Sequence, residues 1–116
     1  MVCGHVLHRC CHRLGGNDLS QSIDINGYWK VLVCYKADLG ELNSGFTVTD
    51  YSKKLSIVGI GLTTSKDEFI NTVIHEAKHV QSHICNYYNV PEDGESAAYL
   101  IGYLVMRMYN QFKELI

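Results

Sequence analysis

The sequence predicts an α+β fold: a small antiparallel sheet of about three strands packed against two long helices, with a further helix at the N-terminus. Three observations lead there. Residues 28–36 alternate with period two, and the runs 46–49 and 55–60 are rich in β-forming residues on either side of turn material, the pattern of a hairpin. Ser65 followed by Glu68 has the form of a capping box and opens an amphipathic segment containing His75-Glu76-Ala77-Lys78-His79. Residues 96–108 are then almost continuously apolar, with Arg107 the only charge.

At the N-terminus, Cys3, Leu7, Cys10 and Leu14 recur at intervals of three and four before Gly15-Gly16, which reads as an amphipathic helix over 2–14 with a glycine stop. His5, His8 and His12 fall on its other face. They read as solvated side chains, because no zinc-finger spacing accompanies them. Residues 17–26 are polar and Gly-punctuated, a connection or irregular lead-in, and 37–44 read as a loop or short helical turn. In the strand at 28–36, Trp29, Val31, Val33 and Tyr35 share one side.

A length of 116 residues fits one domain over 1–116. With 47% apolar and 19% charged residues and a formal charge of −2, nothing draws the chain to nucleic acid or an anionic membrane, so neither is expected as a partner. Five cysteines, an odd number without framework spacing, predict reduced thiols and a cytoplasmic protein. No run is long enough to span a bilayer and no signal-peptide core is visible. Oligomeric state is not encoded in any feature of this kind.

The segment 75–79 is an HExxH motif. Two imidazoles four residues apart lie on one helix face, close enough to hold one zinc ion while Glu76 flanks them as a general base. On the same helix Phe69, Val73, Ala77, Val80 and Ile84 form the apolar side, and His75, His79 and His83 fall roughly opposite. His83 is too far along a straight helix to join the other two on one ion, and it reads as a rim residue, a supporting residue behind the ligands, or merely exposed.

Glu95 is the candidate third ligand. It shares a helix face with Ala98 and Gly102, whose small side chains would let two helices approach closely; its other reading is an acid favoured by the N-terminal helix dipole. The first reading sets a geometric condition. The HExxH helix should stop at 84–87, residues 86–90 should turn, and Pro91 should open the next helix. A first helix running to Asn89 would instead set Glu95 well over 10 Å from His79 along the axis.

The residues His75-Glu76-Ala77-Lys78-His79, followed by Glu95-Ser96-Ala97-Ala98-Tyr99-Leu100-Ile101-Gly102-Tyr103-Leu104, resemble the small zincin-like metallopeptidase-type proteins of bacteriophages and prophages. The resemblance covers roughly residues 45–107. A looser likeness exists to the ImmA/IrrE-type peptidases of mobile elements. The resemblance implies a minimal zincin-like domain with a gluzincin-type site, in which His75, His79 and Glu95 bind Zn2+ and Glu76 is the base. The expected reaction is hydrolysis of a peptide or protein substrate by metal-activated water, with Tyr99, one turn after Glu95, as candidate oxyanion donor or else a packed core tyrosine. An extended substrate is expected on an exposed sheet edge, with 55–61 leading into the site. The competing expectation is a zinc-binding interaction or structural module without turnover.

Overall fold

The computed structural model describes residues 20–37, 45–61 and 65–115. The expected N-terminal helix with its three histidines, and most of the expected loop at 37–44, lie outside the described residues. Four strands are present, β1 (Ser20–Ile25), β2 (Trp29–Ala37), β3 (Gly45–Asp50) and β4 (Leu55–Gly61), followed by helices α1 (Lys66–Tyr88) and α2 (Glu95–Leu115). The α+β class therefore holds. The sheet has the order β1-β2-β4-β3 and is mixed, because β2 and β4, at its centre, run parallel.

The expectation of about three antiparallel strands changes in two ways. β1 occupies a stretch read as a connection: Ile23 and Ile25 alternate inward, and Asn26-Gly27, both at positive φ (50° and 79°), form the tight turn that a right-twisted hairpin requires. The β3–β4 hairpin forms as expected, but β4 inserts between β2 and β3. Ser56, Ile57, Val58 and Ile60 are all buried, so β4 is covered on both faces as a central strand should be. At the hairpin turn Asp50 accepts hydrogen bonds from the Ser52 backbone N–H and hydroxyl (3.1 and 2.7 Å), and the hydroxyl bond chiefly holds its carboxyl below the usual carboxylate range.

One face of the sheet forms the main core. Ile23, Ile25, Trp29, Val31, Val33, Tyr35, Val58 and Ile60 meet Phe69, Val73, Ala77, Val80 and Ile84 of α1 and Leu104 and Met108 of α2. The five α1 residues are the apolar side expected from the sequence. At the far end, the Tyr35 hydroxyl lies 2.9 Å from the Met108 carbonyl and 2.8 Å from Gln111 Oε1, and Phe69 stacks on Phe112 at 3.8 Å, which fixes the end of α2 against the sheet. No helix among the described residues is long and apolar enough to cross a membrane.

Ser65 caps α1 as expected, its hydroxyl accepting from the Glu68 backbone N–H at 3.1 Å. The other end differs. α1 runs without a break to Tyr88 and closes on Asn89 in the left-handed conformation, whose N–H bonds the Asn86 carbonyl. Pro91 does not open the next helix; its carbonyl accepts from Gly94 N–H in a turn, and α2 starts at Glu95.

Candidate functional site

The HExxH turn of α1 faces strand β3, and two threonines on alternate positions of that strand reach it. Thr47 Oγ1 donates to Glu76 Oε1 at 2.7 Å, and Thr49 Oγ1 bonds His83 Nδ1 at 2.7 Å. Glu76 is 4% exposed, a buried carboxylate whose Oε1 is satisfied by the threonine. Beside it stands Gly45. A Cβ there would lie 2.9 Å from Glu76 Cγ, Glu76 Oε2 and the Gly59 carbonyl oxygen, so the first residue of β3 must lack a side chain for the Glu76 carboxylate to sit where it does.

His75 and His79 are exposed, and their Nε2 atoms are 3.3 Å apart with the rings at 72°. Zinc bonds imidazole nitrogen at about 2.0–2.1 Å, and a tetrahedral angle then sets two such nitrogens about 3.3–3.4 Å apart. That separation, also a hydrogen-bond distance between the two rings, matches one edge of a zinc tetrahedron, and Glu76, in the same helical turn, lies on the β3 side.

Glu95 is not brought to this pair. α1 continues nine residues beyond His79, and where α2 returns it is keyed by Gln81, a side chain 3% exposed whose amide donates to the Ala97 carbonyl at 3.1 Å and whose Oε1 accepts from Lys78 Nζ at 2.6 Å. Ala97 is buried there. Glu95, Ala98 and Gly102 are exposed, and a Cβ on Gly102 would meet nothing within 4 Å. The small-residue face proposed for close helix approach is the solvent face of α2. No group of three or more His, Cys, Asp or Glu side chains among the described residues is arranged to hold a metal ion.

Tyr99, the expected oxyanion donor, is 75% exposed on the same outer side of α2, so it is not a packed core tyrosine, and among the described residues no hydrogen bond or ring contact joins it to the HExxH turn. The acid that approaches α1 is Glu92: its carboxylate accepts from Ser82 Oγ and pairs with Lys78 Nζ at 3.3 Å, contacts that hold it below the usual carboxylate range, the Ser82 bond foremost. Lys78 and Glu92 are well exposed, so this pair orients the turn without adding much stability.

His83 is half-buried rather than merely exposed. Its ring stands 6.5 Å from His79 and 6.0 Å from Tyr51, continuing the histidine row along β3. Burial, and secondarily His79, push its pKa down, against a smaller upward pull from Glu92. Sequence reasoning missed Gly45, Thr47 and Thr49. Their signal was the period-two placement of hydroxyls in 45–49, which has meaning only once β3 is known to lie beside α1.

Compared with known proteins, the chain matches no family model, no curated protein and no solved structure.

The placement of Gly45 gives a prediction. Gly45→Ala pushes a methyl into the Glu76 carboxylate and against a backbone oxygen that cannot swing aside. Histidine spacing is untouched. Any affinity of the histidine pair for zinc should therefore persist, while any hydrolysis dependent on Glu76 falls on the order of 100-fold, the scale of effect of a misplacement near 1 Å. Zinc titration and peptide-cleavage rates measured on the same preparation check this.

Proposed function

We propose that the chain is a zinc-dependent hydrolase of peptide bonds, a metallopeptidase of HExxH type on a zincin-like α+β fold. The observation that carries the reading is the His75–His79 nitrogen separation of 3.3 Å, matched to a zinc tetrahedron, with a buried glutamate held beside it from the neighbouring strand. The resemblance of 75–79 and 95–104 to phage zincin-like proteins points the same way.

His75 and His79 would hold the ion through Nε2. Zinc bound there supplies a Lewis acid that polarises a carbonyl and makes water acidic enough to lose a proton near neutral pH. Glu76 is the group that moves protons. Thr47 occupies Oε1, which leaves Oε2 to take the proton of the attacking water and to return it to the departing amine. Thr47 also fixes the carboxylate rotamer, so the base is oriented before substrate arrives.

The substrate edge is β3 rather than β4. β4 is bonded on both sides, whereas among the described residues β3 is paired only with β4, and its threonines reach the helix that carries the HExxH turn. An extended peptide adding to that edge as a fifth strand passes the histidine row.

Two variants test the ligand set. His79→Ala should weaken zinc binding by on the order of 100-fold or more, since even outer-shell losses cost 10–100-fold. Glu95→Gln should change it less than threefold, because Glu95 forms no metal-holding group with the pair among the described residues. Isothermal titration with zinc measures both. If Glu95→Gln lost as much affinity as His79→Ala, α2 would have to turn its outer face toward α1 when metal binds.

The competing reading is a zinc-binding module without turnover, for which two histidines fall short of the four protein ligands that structural zinc sites use. The two readings part on Glu76, whose replacement matters only to an enzyme.

A further inference from the structure

The hydrogen bonds behind His83 determine where its protons are. Trp29 Nε1, Ser56 Oγ, Thr49 Oγ1 and His83 Nδ1 form an unbroken chain with separations of 3.1, 2.8 and 2.7 Å. An indole N–H can only donate, so Ser56 receives. Ser56 is fully buried, and among the described residues Thr49 is the only further partner for its own proton. Ser56 therefore donates to Thr49, and Thr49 donates to Nδ1.

The reverse direction leaves a proton unplaced. Were Nδ1 protonated and donating to Thr49, either Thr49 would donate to Ser56, which would then receive two protons and have no acceptor for its own, or Thr49 would receive from both neighbours and its own proton would have no acceptor among the described residues. The same holds for the imidazolium, which carries a proton on Nδ1 in every case. The arrangement that places every proton of the chain on an acceptor has His83 neutral, with its proton on Nε2. Among the described residues no buried side-chain nitrogen or oxygen lacks a partner, and Nδ1 is the only atom of this ring with one, so Nε2–H opens to solvent.

We propose that His83 is a tautomer-locked hydrogen-bond donor that binds a backbone carbonyl oxygen of an extended peptide lying along the outer edge of β3. This rests on the reading of the HExxH turn as a peptide-hydrolysing site. His83 follows His79 by one helical turn, a rise of about 6 Å, which corresponds to about two residues of extended chain. The carbonyl it holds is therefore about two residues from the bond at the histidine pair. A neutral donor suits a neutral carbonyl: it gives direction without attracting stray anions. The lock is supplied from the far side of the strand pair, by a tryptophan that itself touches no substrate.

The test reads the tautomer directly. On the full-length, metal-free 15N-labelled chain at neutral pH, two-bond proton–nitrogen correlations should show His83 Nδ1 unprotonated and Nε2 protonated. Thr49→Val should convert the ring to a mixture of tautomers, and Thr49→Ser, which keeps the hydroxyl, should restore the wild-type pattern. Adding the blocked peptide acetyl-tetra-alanine amide should move the His83 Nε2–H resonance downfield and saturably in wild type and in Thr49→Ser, with an apparent affinity at least threefold weaker in Thr49→Val. A protonated Nδ1 in the wild type overturns the lock; a peptide titration that leaves the His83 resonance unmoved overturns the binding role. Absence of zinc binding or of turnover, measured separately, would count against the hydrolase reading and leave the tautomer result standing.

Discussion

Glu76→Gln is expected to leave the fold and zinc affinity unchanged and to reduce peptide hydrolysis 10²–10⁴-fold, the span associated with losing a positioned general base. The argument for a clean separation is local. Glutamine has the same shape, and its amide oxygen can still accept from Thr47 Oγ1, which lies 2.7 Å from the carboxylate oxygen it replaces. Gly45 still leaves room for the second atom, now an amide nitrogen. Only proton acceptance at that atom is lost. The histidines are spaced by the helix itself, at i and i+4, and do not depend on Glu76 for their positions. The measurement is paired: zinc titration, and cleavage of an internally quenched peptide library with zinc present. Retained zinc with lost cleavage identifies an enzyme, whereas a wild type that binds zinc and cleaves no member of the library identifies the module without turnover.

The sequence made the helices easier to read than the sheet, for reasons that lie in particular residues. In α1, Phe69, Val73, Ala77, Val80 and Ile84 recur among polar residues, so the buried stripe could be drawn before any coordinates, and Ser65 marked its start. α2 offered no such contrast. Where nearly every residue is apolar, periodicity cannot say which side is covered, and burial of Ala97 beside exposure of Ala98 depends on the hydrogen bond from Gln81 on the other helix. The face assigned to Glu95 failed on that point. β1 was legible in principle: Asn26-Gly27 after Ile23 and Ile25 is a strong hairpin signal, outweighed in the reading by the polar residues of 17–26. The insertion of β4 between β2 and β3 was less so. It is decided by which strands can be buried on both faces, and the run 31–35 in β2 gives that signal at least as strongly as 55–61, where Ser56 and Gly59 interrupt the apolar residues. The threonines that orient Glu76 and His83 became visible only through that strand order.

Trp29→Ala should cost about 3–5 kcal/mol, the usual range for deleting a buried aromatic side chain. Against a typical stability of about 5–15 kcal/mol this is a large fraction, and the urea midpoint should fall accordingly. Trp29 is 2% exposed at the start of β2, where the two hairpin turns and the last turn of α1 converge. Its indole meets the rings of Tyr87, Tyr88 and Tyr51 edge-on at centroid distances of 5.5, 6.1 and 6.3 Å, and these tyrosines, each roughly 40% exposed, also pack on one another around it. Removing the ring empties a space that three partly exposed side chains must collapse into, and it also deprives buried Ser56 of its donor. Trp29→Phe separates these contributions: it keeps most of the packing and loses only the N–H, so its cost should fall to about 1–2 kcal/mol. The phenylalanine variant also removes the donor that gives the Ser56–Thr49–His83 chain its direction, since Ser56 is then free to accept from Thr49. Equilibrium urea denaturation ranks the two variants. Amide hydrogen exchange then distinguishes local from global damage: protection should drop first in 84–88, at the end of α1 that Trp29 supports, and last around Ala77 and Val80, where the same helix is buried against the sheet independently of the tryptophan.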